Sequence, residues 1–170
     1  MKKISIIGSG GAGKSTLART LSSILHVPVY HLDSLFWKPG WVETERSKWV
    51  EIQNDLCKED EWIMDGNYGG TMQIRLDASD TVIFLDFNRY FCLYRAVLRF
   101  AKYFGKSRPD MAEGCKEQLD IKFVKWIYEY PKIKKPGILE NLSKLSGTTQ
   151  VYILKNPKEV KEFLKAVGKN

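Results

Sequence analysis

The chain has 170 residues, 44% of them hydrophobic and 12% aromatic, enough apolar side chain for one sizeable core, and its length excludes two full domains. A formal net charge of +7 fits phosphorylated substrates or a polyanionic partner without choosing between them. Cys57, Cys92 and Cys115 are an odd set with no C-x-x-C spacing, which excludes a disulfide framework and a zinc site and suits reduced thiols in a cytoplasmic protein.

Lys3–Ile7 reads as a short buried strand, too brief for the apolar core of an export signal although Met1-Lys2-Lys3 precedes it. It runs directly into Gly8-Ser9-Gly10-Gly11-Ala12-Gly13-Lys14-Ser15, a complete G-x-x-x-x-G-K-[ST] phosphate-binding loop. Each residue type has its reason. Glycines let backbone N–H groups turn toward phosphates, Lys14 reaches β and γ oxygens, and the Ser15 hydroxyl ligates Mg²⁺. Leu17, Leu21, Ile24 and Leu25 give the apolar stripe of a helix whose positive end meets the phosphates, so ATP with Mg²⁺ is expected along Gly8–Thr16, Thr16 included.

A second strand is predicted over Val27–Leu32, with Asp33 at its end and His31 two residues earlier on the same face. Ligands of open α/β sheets bind beyond the carboxyl ends of the strands, so Asp33 is placed either to take a proton from an acceptor hydroxyl or to cap the turn with Ser34. His31 reads as a hydrogen-bonding residue, since two histidines are too few for a metal site. Trp37 and Trp41 flank Lys38-Pro39-Gly40, either covering a substrate ring or holding the loop down. Thr44 is expected to cap a helix on which Trp49, Ile52 and Leu56 share a face. A third strand, Glu61–Met64, delivers Asp65, the candidate acidic partner of Mg²⁺ or a turn opener with Gly66. Asn67 and Tyr68 follow as candidate acceptor contacts, with Arg75 as an alternative one.

After the fourth strand, Thr81–Leu85, the stretch 88–146 holds most of the remaining charge. Leu93, Val97, Phe100 and Phe104 form one helical stripe, and Arg95, Arg99, Lys102 and Lys106 form another. Asp86, Arg89, Arg95 and Arg99 rule out a membrane span over Val82–Phe104. Beyond a break at Gly105–Pro109, a helix with Leu119, Phe123, Ile127 and Tyr130 on one face is expected to end at Pro131, before Lys132, Lys134 and Lys135. This insertion reads as a lid. Arg95, Arg99 and Arg108 are its candidates for neutralising a transferred phosphoryl group, the alternative being a solvated face. The fifth strand, Gln150–Leu154, precedes an Asn156-Pro157 cap and a final helix with Val160, Phe163, Leu164 and Val167 inward and Gly168 as its stop.

Alternating strands and helices argue for right-handed βαβ units in a three-layer α/β domain spanning 1–170, with 88–146 as a helical insertion. With its phosphate loop, Asp33, Asp65-Gly66 and basic insertion, the chain resembles small P-loop kinases of the adenylate kinase and shikimate kinase type. That resemblance implies a five-stranded parallel sheet of order 2-3-1-4-5, ATP with Mg²⁺ as donor, the magnesium role for Asp65, lid roles for Arg95, Arg99 and Arg108, and a place near adenine for Asn156. Three longer stretches, Tyr30–Trp41, Asp65–Tyr68 and Arg108–Cys115, look like the bacterial topology modulation proteins, a label that suggests an influence on DNA supercoiling. One departure carries weight. Nucleoside monophosphate kinases place acceptor-binding arginines after the second strand, where this chain has Asp33, Trp37, Lys38 and Trp41, which suits an uncharged hydroxyl acceptor better.

The expected function is transfer of the γ-phosphoryl group of ATP to a small-molecule acceptor. The competing reading is a nucleotide-regulated nucleic-acid binder using the Arg95, Arg99, Lys102 and Lys106 stripe, though no helix-turn-helix, zinc-finger or RNA-binding motif accompanies it.

Overall fold

β1 (Lys3–Gly8) is buried from Ile4 onward, as a central strand covered on both faces must be. It pairs in parallel with β5 (Trp62–Asp65) on one side and β6 (Thr81–Leu85) on the other. β2 (Val29–His31) and β7 (Gln150–Leu154) complete a five-stranded parallel sheet of order β2-β5-β1-β6-β7. A two-stranded hairpin, β3 (Trp37–Lys38) with β4 (Val42–Glu43), accounts for the missing numbers. Counted without it, the sheet runs 2-3-1-4-5. The computed structural model describes residues 1–118 and 120–169, so the expectation for Leu119 lies outside the described residues.

Period-two alternation divides the core. Ile4, Ile6, Ile63, Ile83 and Leu85 face α1 (Lys14–Leu25), α5 (Arg89–Tyr103) and α8 (Pro157–Val167). Ile7, Val82 and Phe84 face α4 (Met72–Ala78), α6 (Ile121–Ile133) and α7 (Lys135–Ser143). Trp62 and Met64 pack with Leu32 of α2 (Leu32–Phe36) and Trp49 of α3 (Arg46–Lys58). The result is three layers. Among the described residues no helix is long and apolar enough to cross a membrane.

Four local expectations change. Asp33 lies in the first turn of α2 rather than at a strand end, because β2 stops at His31. Thr44 does not cap α3; its hydroxyl donates to Phe36 O at 2.7 Å and closes the hairpin, and Glu45 occupies the cap position. α6 continues past Pro131 to Ile133, where the missing N–H falls in the last turn and Lys134 N still bonds Tyr130 O at 2.9 Å. On α5 the buried residues are Cys92 and Ala96, while Val97 is 50% exposed and Phe104, just past the helix end, 69%. The helix turns its small residues inward because it lies directly against the glycine-rich loop. α8 forms as expected, with Asn156 Oδ1 accepting from Lys158 N at 3.0 Å and Glu159 N at 3.1 Å.

Candidate active site

The loop between β1 and α1 follows from its glycines. Gly11 and Gly13 hold φ of 75° and 96°, values open to glycine and costly for other residues. At Gly11 contact adds to conformation: a Cβ there would stand 2.2 Å from Cys92 O of α5. Lys14 Nζ donates to Gly8 O and Ser9 O, both at 3.0 Å, and desolvation lowers its pKa.

Asp65, at the end of β5, collects two groups. Ser15 Oγ donates to its Oδ2 at 2.7 Å, and His31 Nδ1 meets its Oδ1. Burial alone would lower the His31 pKa, but the hydrogen bond and charge of Asp65 outweigh it and raise the value. His31 therefore orients Asp65, and Asp65 faces the loop as its place after the third sheet strand suggested.

Asn67 has its amide committed to the loop rather than open to an acceptor: Nδ2 donates to Gly8 O at 2.7 Å and Oδ1 accepts from Gly8 N at 3.1 Å. Arg75, expected as an alternative acceptor contact, is 1% exposed and holds this turn from behind. Its guanidinium donates to Asn67 O at 2.9 Å, Gly66 O at 3.3 Å and Gln53 Oε1, and burial lowers its pKa to about 10. Sequence reasoning missed Gln53. Its signal was a polar residue four positions after Trp49 on the apolar face of α3.

Asp33 is held from across the sheet end, where Tyr68 Oη donates to its Oδ1 at 2.7 Å. Burial and the Asp33 carboxylate push the Tyr68 phenol well above its ordinary pKa, so it stays a donor. Tyr68 packs on Phe36 and Trp49 at centroid distances of 4.7 and 4.9 Å. Trp41 Nε1 donates to Lys116 O at 3.1 Å, tying the hairpin to the segment after α5.

Lys14, Ser15, Asp33, Trp41, Asn67 and Tyr68 line one cleft of about 950 Å³ with Arg95, Arg99 and Arg108, whereas His31, Asp65 and Arg75 are not among its lining residues. Arg99 and Arg108 have acidic partners that their sequence stripe did not reveal. Arg99 Nε lies 2.8 Å from Glu117 Oε1, Arg108 Nε 2.5 Å from Glu117 Oε2, and Arg108 pairs with Asp110 at 2.9 Å. Burial lowers the Arg99 pKa; burial alone would raise Asp110, but the charge of Arg108 holds it below its ordinary value. Asp110 had a signal in Arg108-Pro109-Asp110; Glu117, nine residues on from Arg108, had none. Arg95 stands beside Gly13 and 5.6 Å over Phe91. Gly8, Ser9 and Ala12 form the buried base of the loop, while Gly10, Gly11, Gly13, Lys14, Ser15 and Thr16 reach the cleft. Asn156 is not among its lining residues and serves as the α8 cap.

No protein-family model matches the chain, and no curated protein does. Solved structures do. A shikimate kinase from Acinetobacter baumannii in complex with shikimate is 18% identical with a TM-score of 0.64, over 98% of this chain and 90% of that one. A deoxyadenosine kinase from M. mycoides is 14% identical, TM-score 0.53, over 98% of each chain. A gluconokinase from Sinorhizobium meliloti is 13% identical, TM-score 0.52, over 99% and 94%. The common element is architectural: this chain has the three-layer α/β fold of the small P-loop kinases.

Proposed function

We propose that the protein transfers the γ-phosphoryl group of ATP to a hydroxyl of a small-molecule acceptor. One observation carries the reading. Asp33, its Oδ1 fixed by Tyr68, lines the same cleft as Lys14 and Ser15, so a proton acceptor and a phosphate-binding loop share one chamber.

The residues present fit the donor. A Cβ at Gly11 or Gly13 would run into Cys92 O or the Arg95 guanidinium, so only glycines let the loop turn here beneath α5, and Ser15 with Asp65 offers the hard oxygen ligands that Mg²⁺ prefers. Lys14, Ser15 and Thr16 would hold the phosphates, with Mg²⁺ at Ser15 and Asp65. When bound, ATP with Mg²⁺ supplies the phosphoryl group, whose bond to the β,γ-bridging oxygen breaks as the acceptor oxygen bonds phosphorus and ADP departs. Asp33 takes the hydroxyl proton on Oδ2, the oxygen that Tyr68 leaves free. Arg95, beside the loop, and Arg99 and Arg108, carried by the 88–146 insertion acting as a lid, neutralise charge on the transferred group once phosphate competes for them with Glu117.

The long stretches Tyr30–Trp41 and Arg108–Cys115 support placing the chain among the topology modulation proteins. The nucleic-acid reading loses ground because Arg99, central to its stripe, is paired with Glu117. The test is transfer of label from γ-labelled ATP to a panel of nucleosides, nucleotides and small alcohols, with Lys14→Ala and Asp33→Asn alongside. A hydroxyl acceptor is expected, Lys14→Ala losing ATP binding and Asp33→Asn losing transfer alone. A monophosphate acceptor, or wild-type transfer by Asp33→Asn, overturns the assignment.

A further inference from the structure

The acceptor end of the cleft is made of ring faces and carboxylates. Trp37 and Trp41 meet at 67° with centroids 5.4 Å apart, and both line the cleft beside Tyr68, Asp33 and Glu43. The hairpin sets part of this: Trp37 and Glu43 are directly opposed across the antiparallel pair, so their side chains leave the ribbon on the same face. Among the described residues no ion pair joins Asp33 or Glu43 to a cation.

The lining cations are placed differently. Arg99 and Arg108 are bound by Glu117 and Asp110, Lys14 and Arg95 belong to the phosphate loop and its flank, and Lys102 leans on Tyr103 at 5.4 Å. Arg19, exposed on α1, is the remaining one. Apart from Arg19, whose charge acts on His31, the cations gather on the side of the phosphate loop and α5, while the hairpin end offers two carboxylates without an ion-pair partner and two indole faces.

We infer that the acceptor is an amino alcohol, its ammonium group held between Trp37, Trp41 and Glu43 and its hydroxyl at Asp33. This rests on the kinase reading of the same cleft. An indole face attracts a cation through its quadrupole, and Glu43 across from Trp37 supplies the counter-charge. A neutral polyol gains neither contact. An anionic acceptor would meet Asp33 and Glu43 as like charges.

The experiment uses probes of one size and three charges. Ethanolamine, ethylene glycol and glycolate are titrated into the full-length protein at matched ionic strength and followed by tryptophan fluorescence, as are choline and its neutral counterpart 3,3-dimethylbutan-1-ol. The cationic member of each set is expected to bind about three- to thirtyfold tighter than the neutral one, the range of a cation–π contact. Glu43→Gln, an exposed and isosteric change, should reduce that preference. Equal binding, tighter binding of the neutral or anionic probe, or an unaltered preference in Glu43→Gln overturns the inference. Label transfer from ATP, run on the same probes, separates the two ideas. Transfer to alcohols with no preference for the amine sinks the amine site and leaves the kinase; cation binding with no transfer to any hydroxyl sinks the kinase reading and leaves the site.

Discussion

Replacing Asn67 by leucine removes a side chain that acts on the first glycine of the loop as a neighbouring strand would. Two hydrogen bonds to Gly8 disappear, Nδ2 to Gly8 O at 2.7 Å and Gly8 N to Oδ1 at 3.1 Å, along with a longer one from Tyr130 Oη to Oδ1 at 3.4 Å. Each of the two Gly8 bonds contributes about 1 kcal/mol net, and the buried Gly8 N–H, left unpartnered, adds a desolvation penalty of about 1 kcal/mol or more. The sum is about 3 kcal/mol, which in a chain of this size lowers the melting temperature by about 6–12 °C. Gly8 O keeps one partner, Lys14 Nζ at 3.0 Å. In the proposed reaction Lys14 also moves to a phosphate, and in the variant its departure leaves Gly8 O bare, so affinity for ATP with Mg²⁺ should fall about tenfold beyond any effect of unfolding. Asn67→Asp keeps the acceptor for Gly8 N–H but turns a carboxylate oxygen toward Gly8 O and offers Lys14 a competing anion, so it should cost ATP affinity more than stability. The assays are thermal melting and calorimetric titration below the melting range. A leucine variant that melts and binds ATP like the wild type refutes the reasoning.

Gly11→Ala forces a side chain at φ of 75° into the backbone of α5, 2.2 Å from Cys92 O, and should lose about 2–4 kcal/mol in a urea titration, whereas Gly69→Ala, with open space around it, should be close to neutral. The Asp110 pKa is depressed below its ordinary 3.8 in the folded protein, so its contribution is present above that value and is lost as pH falls through the folded value. Asp110→Asn should therefore melt below the wild type at pH 7, with the gap closing below about pH 4; a gap that persists or widens in acid contradicts the assignment. Replacing Arg108 by glutamine should lower turnover by roughly tens- to thousands-fold with little change in ATP affinity, and single-turnover kinetics beside a binding titration will show whether the loss falls on that side.

Much of the architecture was legible because its causes are local. The phosphate loop follows from glycines at positive φ between an apolar strand and an amphipathic helix, the five sheet strands from short apolar runs, and the start of α8 from Asn156-Pro157. Asp65 was found for the same reason, as the residue closing a buried strand. The small-residue face of α5 was not, since periodicity marks the largest apolar side chains as inward, and Cys92 and Ala96 face inward instead because the loop, at Gly11, approaches the helix backbone itself.

The tertiary fold decided which polar groups meet. Tyr68 reaches Asp33 from 35 residues away, Asn67 brackets Gly8 from 59, and Glu117 clasps Arg99 from 18. No spacing rule connects such residues. Sequence alone singled out the glycine-rich loop with Asp33, Arg95, Arg99 and Arg108 as candidates, and missed Glu43, Asp110 and Glu117 of the cleft. Only the parallel sheet, by bringing its strand ends and the α5 to α6 segment to one cleft, determined that Asn67 holds the loop, that Arg75 lies beneath it, and that Arg99 and Arg108 are countered by carboxylates, because a charge has a partner only where folding brings one within a few ångströms.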